Sequence, residues 1–290
     1  MNARLFGVFG LVLGIATACT RDNPTGTGTT TGADKKSFTL KGSDTMVILG
    51  QRWAETYMKQ NAGVTIQVTG GGSGVGIAAL INGTTDICEA SRPMTDKEKD
   101  DVKAKRTTPV VEVKVALDAL AVYVNDKNAL QEISLPQLAG IYKGEIKSWK
   151  ELAGPDKPIV LYGRENSSGT YGYFKEHVLK NKDFAAAVQT MAGTAALANA
   201  IEKDESGIGY GGIGYVKGIR ALKVKKDDAS PAIAPTMETA QDGTYPIARF
   251  LYFYTAGEST GTQKKFIDWV LSDDGQKVIN DVGYYPLPKK

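Results

Sequence analysis

Residues 110–125 read V-V-E-V-K-V-A-L-D-A-L-A-V-Y-V-N, a continuous run with strand character. Strands in globular proteins span about 3–10 residues, so one strand of one small sheet cannot use the whole of it. The run predicts a strand that leaves one α/β unit and enters another. A second run, Y-P-I-A-R-F-L-Y-F-Y-T at 245–255, has the same character and supplies a return crossing. Two crossings divide the folded chain into lobe I, residues 37–117 with 247–290, and lobe II, residues 118–246. The fold class that follows is α/β, with two lobes and a ligand cleft between them.

On either side of that run, strand-like and helix-like segments alternate. S-F-T-L-K-G predicts a strand, Val47 to Gln60 a helix with apolar Ile48, Leu49, Trp53 and Met58, and V-T-I-Q-V-T a second strand. Gly74 to Asn82 predicts a helix, D-I-C-E-A-S a strand into a turn, and Asp96 to Lys105 a polar helix with Thr95 as its N-cap. This order implies a mainly parallel sheet covered by helices on both faces. Beyond the crossing, S-L-P-Q-L-A-G-I-Y predicts a helix, P-I-V-L-Y-G a strand, and Tyr171 to Lys180 a helix. Asp183 to Ala192 and Thr194 to Lys203 read as two further helices, then G-I-G-Y and I-R-A-L-K-V as strands. Thr262 to Val282 closes the chain as a helical region with Phe266, Trp269, Val270, Val278 and Ile279 on its inner face.

The N-terminal stretch stands apart. Met1 to Ala18 has one charge, Arg4, then the apolar run Leu5 to Ala16 and the sequence T-A-C. That run is too short to span a bilayer and reads as the core of a signal peptide. A cysteine directly after small residues predicts bacterial lipoprotein processing, with Cys19 as the acylated first residue. The other reading is a signal peptide cut nearby with an incidental cysteine. Residues 19–36 have almost no apolar side chain and read as a flexible tether. A lipidated Cys19 leaves Cys88 as the sole thiol, so no internal disulfide is expected. Lys and Arg number 35 against 32 Asp and Glu, with the two signs interspersed, so nothing resembles a nucleic-acid footprint. The expected setting is the cell envelope, at a periplasmic or extracytoplasmic membrane face, with the chain acting as a monomer.

Four loops carry the chemistry. Y-G-R-E-N-S-S-G-T-Y-G-Y-F at 162–174 offers Arg164, Asn166, three hydroxyls and Gly169 ahead of a helix. G-S-D-T-M at 42–46, G-G-G-S-G-V-G at 70–76 and A-S-R-P-M-T at 90–95 also follow strands. In an open α/β sheet such loops gather at the carboxyl ends of the strands, where ligands bind. Helix N-termini there present free N–H groups and partial positive charge, which suits an anion. Each loop by itself can be structural, since Ser and Thr cap helices and Gly turns corners; four of them carrying hydroxyls favour a site. Enzyme readings fall short. G-E-S-T-G at 257–261 matches a nucleophile elbow, but the single histidine, His177, precedes it. G-Y-G-G-I-G at 209–214 lacks the amphipathic helix that would hold a pyrophosphate. No Walker lysine and no metal-ligand spacing is present, so no catalytic residue, metal or cofactor is expected. Burying a multiply charged anion without partners costs tens of kcal/mol. A binding site must therefore supply many donors at once, and these loops do.

The chain is similar to the phosphate-binding protein family of the bacterial phosphate-specific ABC transporter, from about residue 38 to 288. The resemblance rests on A-L-D-A-L-A-V-Y-V-N, L-P-Q-L-A-G-I-Y-K-G-E-I-K-S-W-K-E-L, R-E-N-S-S-G-T-Y-G-Y-F, G-I-G-Y-G-G-I-G-Y-V and F-I-D-W-V-L-S-D-D-G-Q-K-V-I-N-D-V-G-Y-Y-P-L. It implies a periplasmic-binding-protein fold of the type II, Venus-flytrap kind, with inorganic phosphate held in the interlobe cleft and delivered to permease subunits. The alternative is a phosphate-responsive sensor or adhesion component on the same fold. By the resemblance, Arg164, Ser168, Gly169 and Thr170 match the family's R-x-x-x-S-G-T ligands, and Ser73 the serine at the second loop. Asp44 and Thr45, with Ser43 alongside, occupy the first-loop contacts. Some members have an aspartate after the third strand that accepts the ligand's proton; the matching position here is Ser91, followed by Arg92, and both join the expected phosphate contacts. Asp44 stands where those members have threonine, so the acceptor is expected there, unless Asp44 only caps the following helix. The acid that usually supports the loop arginine is Asn166 here, which leaves the carboxylate partner of Arg164 unidentified.

Overall fold

The computed structural model describes residues 36–288. The predicted signal peptide, the tether and Cys19 lie outside the described residues. The first part of the fold runs β1 (Ser37–Gly42), α1 (Val47–Gln60), β2 (Thr65–Thr69), α2 (Ser73–Asn82), β3 (Ile87–Ala90), α3 (Asp96–Arg106) and the long β4 (Val110–Val124). There follow β5 (Glu132–Ser134), α4 (Leu135–Lys143), β6 (Val160–Arg164), α5 (Gly169–His177), β7 (Gln189–Met191), α6 (Thr194–Lys203) and β8 (Gly207–Gly212). The chain then forms β9 (Arg220–Ala221), β10 (Lys223–Lys225), α7 (Met237–Gln241), β11 (Ala248–Ala256), α8 (Gly261–Leu271) and α9 (Asp273–Val282).

Local signals account for many boundaries. Thr95 and Ser134 each cap their helix in a reciprocal capping box, with Glu98 and Gln137. The closing helical region breaks at Ser272, whose hydroxyl caps α9. The predicted helix Asp183–Ala192 does not form. Its alanines favour a helix, but Phe184 packs with Tyr142, Tyr171, Phe174 and Tyr210, and Gln189–Met191 pairs alongside Tyr162–Arg164 as β7. Tertiary packing overrides the propensity. The I-R-A-L-K-V segment is likewise split, into β9 against β4 and β10 against β5.

The main sheet has the order β2-β1-β3-β11-β4-β8-β6-β7. Its flanks are parallel, β1 with β2 and β3, and β6 with β7 and β8. Its centre is not, because β11 runs antiparallel to both β3 and β4, and β4 antiparallel to β8. The expected mainly parallel sheet is thus interrupted where the chain crosses and returns. The length of β4 has a physical reason in the two cores it serves. Val115 and Ala116 pack with Leu251 and Phe253 of β11 against α1, α8 and α9. Ala119, Leu120, Val122 and Val124 pack instead with α4, α5 and Trp149. A run buried on both faces reads as continuously apolar, which is the pattern of 115–124.

Candidate functional site

Four hydroxyl side chains meet at the carboxyl ends of the strands. Thr45 precedes α1, Ser73 opens α2, Ser91 follows β3 and Thr170 lies in the first turn of α5. None is more than 1 % exposed. Thr45 Oγ1 lies 2.7 Å from Thr170 Oγ1, Ser73 Oγ 3.4 Å from Ser91 Oγ, and Ser91 Oγ 3.5 Å from Thr170 Oγ1. The Ser91 N–H donates to Ser73 Oγ at 3.1 Å. Gly169 is required at this junction, since a Cβ there would stand 2.2 Å from Ser73 Oγ. Ser168 caps α5, its Oγ accepting the Tyr171 N–H. Ser43 is buried in the first turn, donating its N–H to the Glu89 carbonyl. Three helices, α1, α2 and α5, begin at these residues, so the positive ends of their dipoles lie at the cluster. Ser167 of the α5 loop joins the α2 loop directly, its carbonyl accepting the Gly74 N–H at 2.9 Å.

Arg164, the last residue of β6, has its side chain 1 % exposed. Its Nη1 donates to Thr194 Oγ1 at 2.7 Å, and its Nη2 to Asp44 Oδ2 and Glu165 Oε1, both at 2.8 Å. Nε completes a fork on Glu165 at 3.1 Å. The missing carboxylate partner of Arg164 is therefore a pair, Asp44 and Glu165. Burial raises the Glu165 carboxyl, but the hydrogen bonds and charge of Arg164 outweigh it and hold the group below its usual range.

Two expectations change with this geometry. Asp44 does not cap α1, whose N-cap is Met46 without any side-chain bond. Its carboxylate oxygens already have donors: Oδ1 accepts the Gly71 N–H at 2.8 Å and Oδ2 accepts from Arg164 Nη2. Arg92 has another partner in this structure. It forks onto Glu98 at 2.7 and 2.9 Å and donates to the Pro93 carbonyl. Glu98 is fixed by the α3 capping box, so it ties the guanidinium to the start of α3.

The structure also adds residues that the sequence did not single out. Arg249 of β11 donates through Nε and Nη2 to Asp118 Oδ2 at 2.9 and 2.7 Å, and through Nη2 to Thr170 Oγ1 at 3.0 Å. Asp118 Oδ1 accepts the Ile213 N–H. Burial pushes the Asp118 carboxyl upward while the adjacent guanidinium pulls it back. A lone arginine inside an apolar strand was the available signal, and its Asp118 partner is 131 residues away. Among the described residues no three His, Cys, Asp or Glu side chains converge as metal ligands.

Comparison with known proteins identifies the family. Residues 25–274 match the PBP superfamily domain. The chain is 34% identical over 266 residues to phosphate-binding protein PstS of Pseudomonas aeruginosa, covering 86% of this chain and 82% of that protein. It is 36% identical over 259 residues to PstS of Staphylococcus saprophyticus, covering 86% and 80%. A phosphate-bound putative phosphate ABC transporter substrate-binding protein from Clostridium perfringens superposes with a TM-score of 0.79 at 28% identity, covering 87% of this chain and all of that one. With a periplasmic-binding-protein-like α/β fold and relatives of this closeness, the chain belongs to the PstS family of phosphate-binding proteins, a family whose role is substrate binding and not catalysis.

Proposed function

We propose that this chain binds inorganic phosphate among the loops that carry Ser43, Thr45, Ser73, Ser91, Arg164, Ser168, Gly169 and Thr170, and delivers it to the permease of an ABC transporter. The observation that carries the reading is the convergence of four buried hydroxyls and three helix N-termini on one point. Such a site meets a tetrahedral oxyanion with many neutral donors, so little formal charge has to be buried with it. The donors come from two sets of elements, Thr45, Ser73 and Ser91 from residues 37–117, and Arg164 to Thr170 from residues 118–246. We take these as two lobes, with β4 and β11 as the hinge crossings, and the ligand as the group that favours their closed arrangement.

The expected site of action is extracytoplasmic. Among the described residues no helix is long and apolar enough to cross a membrane, and we assign attachment to lipid on Cys19, which Cys19→Ala should abolish. The test of function is calorimetry of the purified chain with phosphate, sulfate and chloride. Tight, saturable phosphate binding with compaction in small-angle scattering is expected. No heat with phosphate, or identical scattering with and without it, overturns the reading.

A further inference from the structure

The guanidinium the sequence singled out has its charge largely offset in the structure. Arg164 faces two carboxylates, Asp44 and Glu165, and spends Nε, Nη1 and Nη2 on them and on Thr194. Arg249 is different. It faces one carboxylate oxygen, and its Nη1 is buried with no hydrogen-bond partner among the described residues. Its side chain is 2 % exposed. A buried charged donor without an acceptor is costly, so a native structure that keeps one has a use for it.

The surroundings show what that use is. Arg249 Nη2 is 3.0 Å from Thr170 Oγ1, and Thr170 Oγ1 is itself 2.7 Å from Thr45 Oγ1. The guanidinium therefore borders the hydroxyl cluster with an unspent edge. Its plane is held from below by the Tyr173 ring, 5.2 Å from the guanidinium carbon, and from behind by Asp118, its register partner across β4 and β11. An arginine so fixed has already lost its conformational freedom, so a ligand oxygen meets it at little further entropic cost.

We propose that Arg249 is a second arginine of the anion site and donates through Nη1 to the bound phosphate. This rests on the phosphate reading above and deepens it. The competing account is that Arg249 only fastens β11 to β4 and α5.

The test combines phosphate calorimetry with thermal unfolding for wild type, Arg249→Lys, Arg249→Gln and the double variant Asp118→Asn/Arg249→Gln. Loss of one partner from a desolvated charge pair predicts that Arg249→Gln weakens phosphate binding about 100-fold. Arg249→Lys should fall between, because a point charge keeps attraction without the fork. The double variant removes the stranded carboxylate, so it should recover thermal stability without recovering affinity. A double variant that binds phosphate within about threefold of wild type, a factor worth less than 1 kcal/mol, assigns Arg249 to fastening alone and overturns the proposal. Should that variant fail to fold, a crystal structure of phosphate-loaded wild type decides: Nη1 within hydrogen-bond distance of a phosphate oxygen supports the proposal, and Nη1 left without one overturns it. Wild type that binds no phosphate removes the underlying reading, a result distinct from either.

Discussion

Asp118 and Glu89 are both carboxylates with no solvent exposure, and the protein treats them in opposite ways. Asp118, on β4, has a guanidinium on one oxygen and a backbone N–H on the other. Glu89, on β3, has no hydrogen-bond partner on either oxygen among the described residues, and burial raises its carboxyl well above the ordinary value. A buried acid survives either by acquiring a countercharge or by keeping its proton. Asp118 takes the first course at the edge of the hydroxyl cluster, where its partner Arg249 meets Thr170. Glu89 takes the second inside an apolar core, beside Gly50 of α1, where a Cβ would come within 2.3 Å of its Oε1.

The comparison is broken most severely at Asp118. Asp118→Ala strands Arg249 in the core, and removing one partner of a buried pair costs about 3–5 kcal/mol. Urea unfolding should show that loss in the absence of phosphate. Because an anion can replace the lost carboxylate as a counterion, phosphate should restore more stability to Asp118→Ala than to wild type. A variant as stable as wild type would show that the pair is energetically neutral.

At Glu89 the sign reverses. Its folded-state pKa lies above its unfolded value, so the folded chain holds a proton that the unfolded chain has released. Its contribution is most favourable below the unfolded pKa and is lost as pH rises toward the folded one, at about 1.4 kcal/mol per pH unit. Glu89→Met has similar bulk and no polar atom to strand. It should gain about 1–3 kcal/mol at acid pH, the usual cost of an unsatisfied buried polar group, and more as pH rises. The difference between variant and wild type should widen from pH 5 to pH 8 in calorimetric melts. A difference that is constant with pH would mean that Glu89 titrates normally in the folded state.

These two acids also mark where sequence reasoning stops. The crossing at 110–125 was legible because ten successive buried positions leave an apolar run that no half-exposed strand shows. The hydroxyl loops were legible because Ser, Thr and Gly stood between strand and helix patterns. Pairings between distant positions were not. Asp44 and Arg164 are 120 residues apart, and nothing local distinguishes a carboxylate that supports an arginine from one that waits for a ligand proton. Arg92 was illegible in the same way, because nothing local shows that Glu98, in the helix that follows, is its ion-pair partner. Glu89 and Arg249 lay within strand runs, where a charge is ordinarily assigned to a solvated face.

Asp44 supplies a third point between the other two, paired like Asp118 but with 17% of its side chain exposed. Partial exposure screens its ion pair, and Arg164 keeps the Glu165 fork and Thr194 if Asp44 loses its charge. In Asp44→Asn the amide can satisfy either the Gly71 N–H or the Arg164 Nη2 with its oxygen, but it presents a donor to the other. One mismatched hydrogen bond costs about 1 kcal/mol, so a small loss of stability is expected. The charge removed lies beside the site, so phosphate and sulfate should both bind slightly better, by similar factors. Their affinity ratio is the decisive quantity, measured at equal ionic strength by calorimetry. If Asp44 only supports Arg164, that ratio stays within about threefold of wild type, less than 1 kcal/mol. If Asp44 instead accepts the proton of phosphate, its removal relieves a like-charge clash with sulfate, which carries no proton to share. Sulfate would then gain tenfold or more on phosphate. Because Oδ2 already holds Arg164 and Oδ1 the Gly71 N–H, the first outcome is the one we expect.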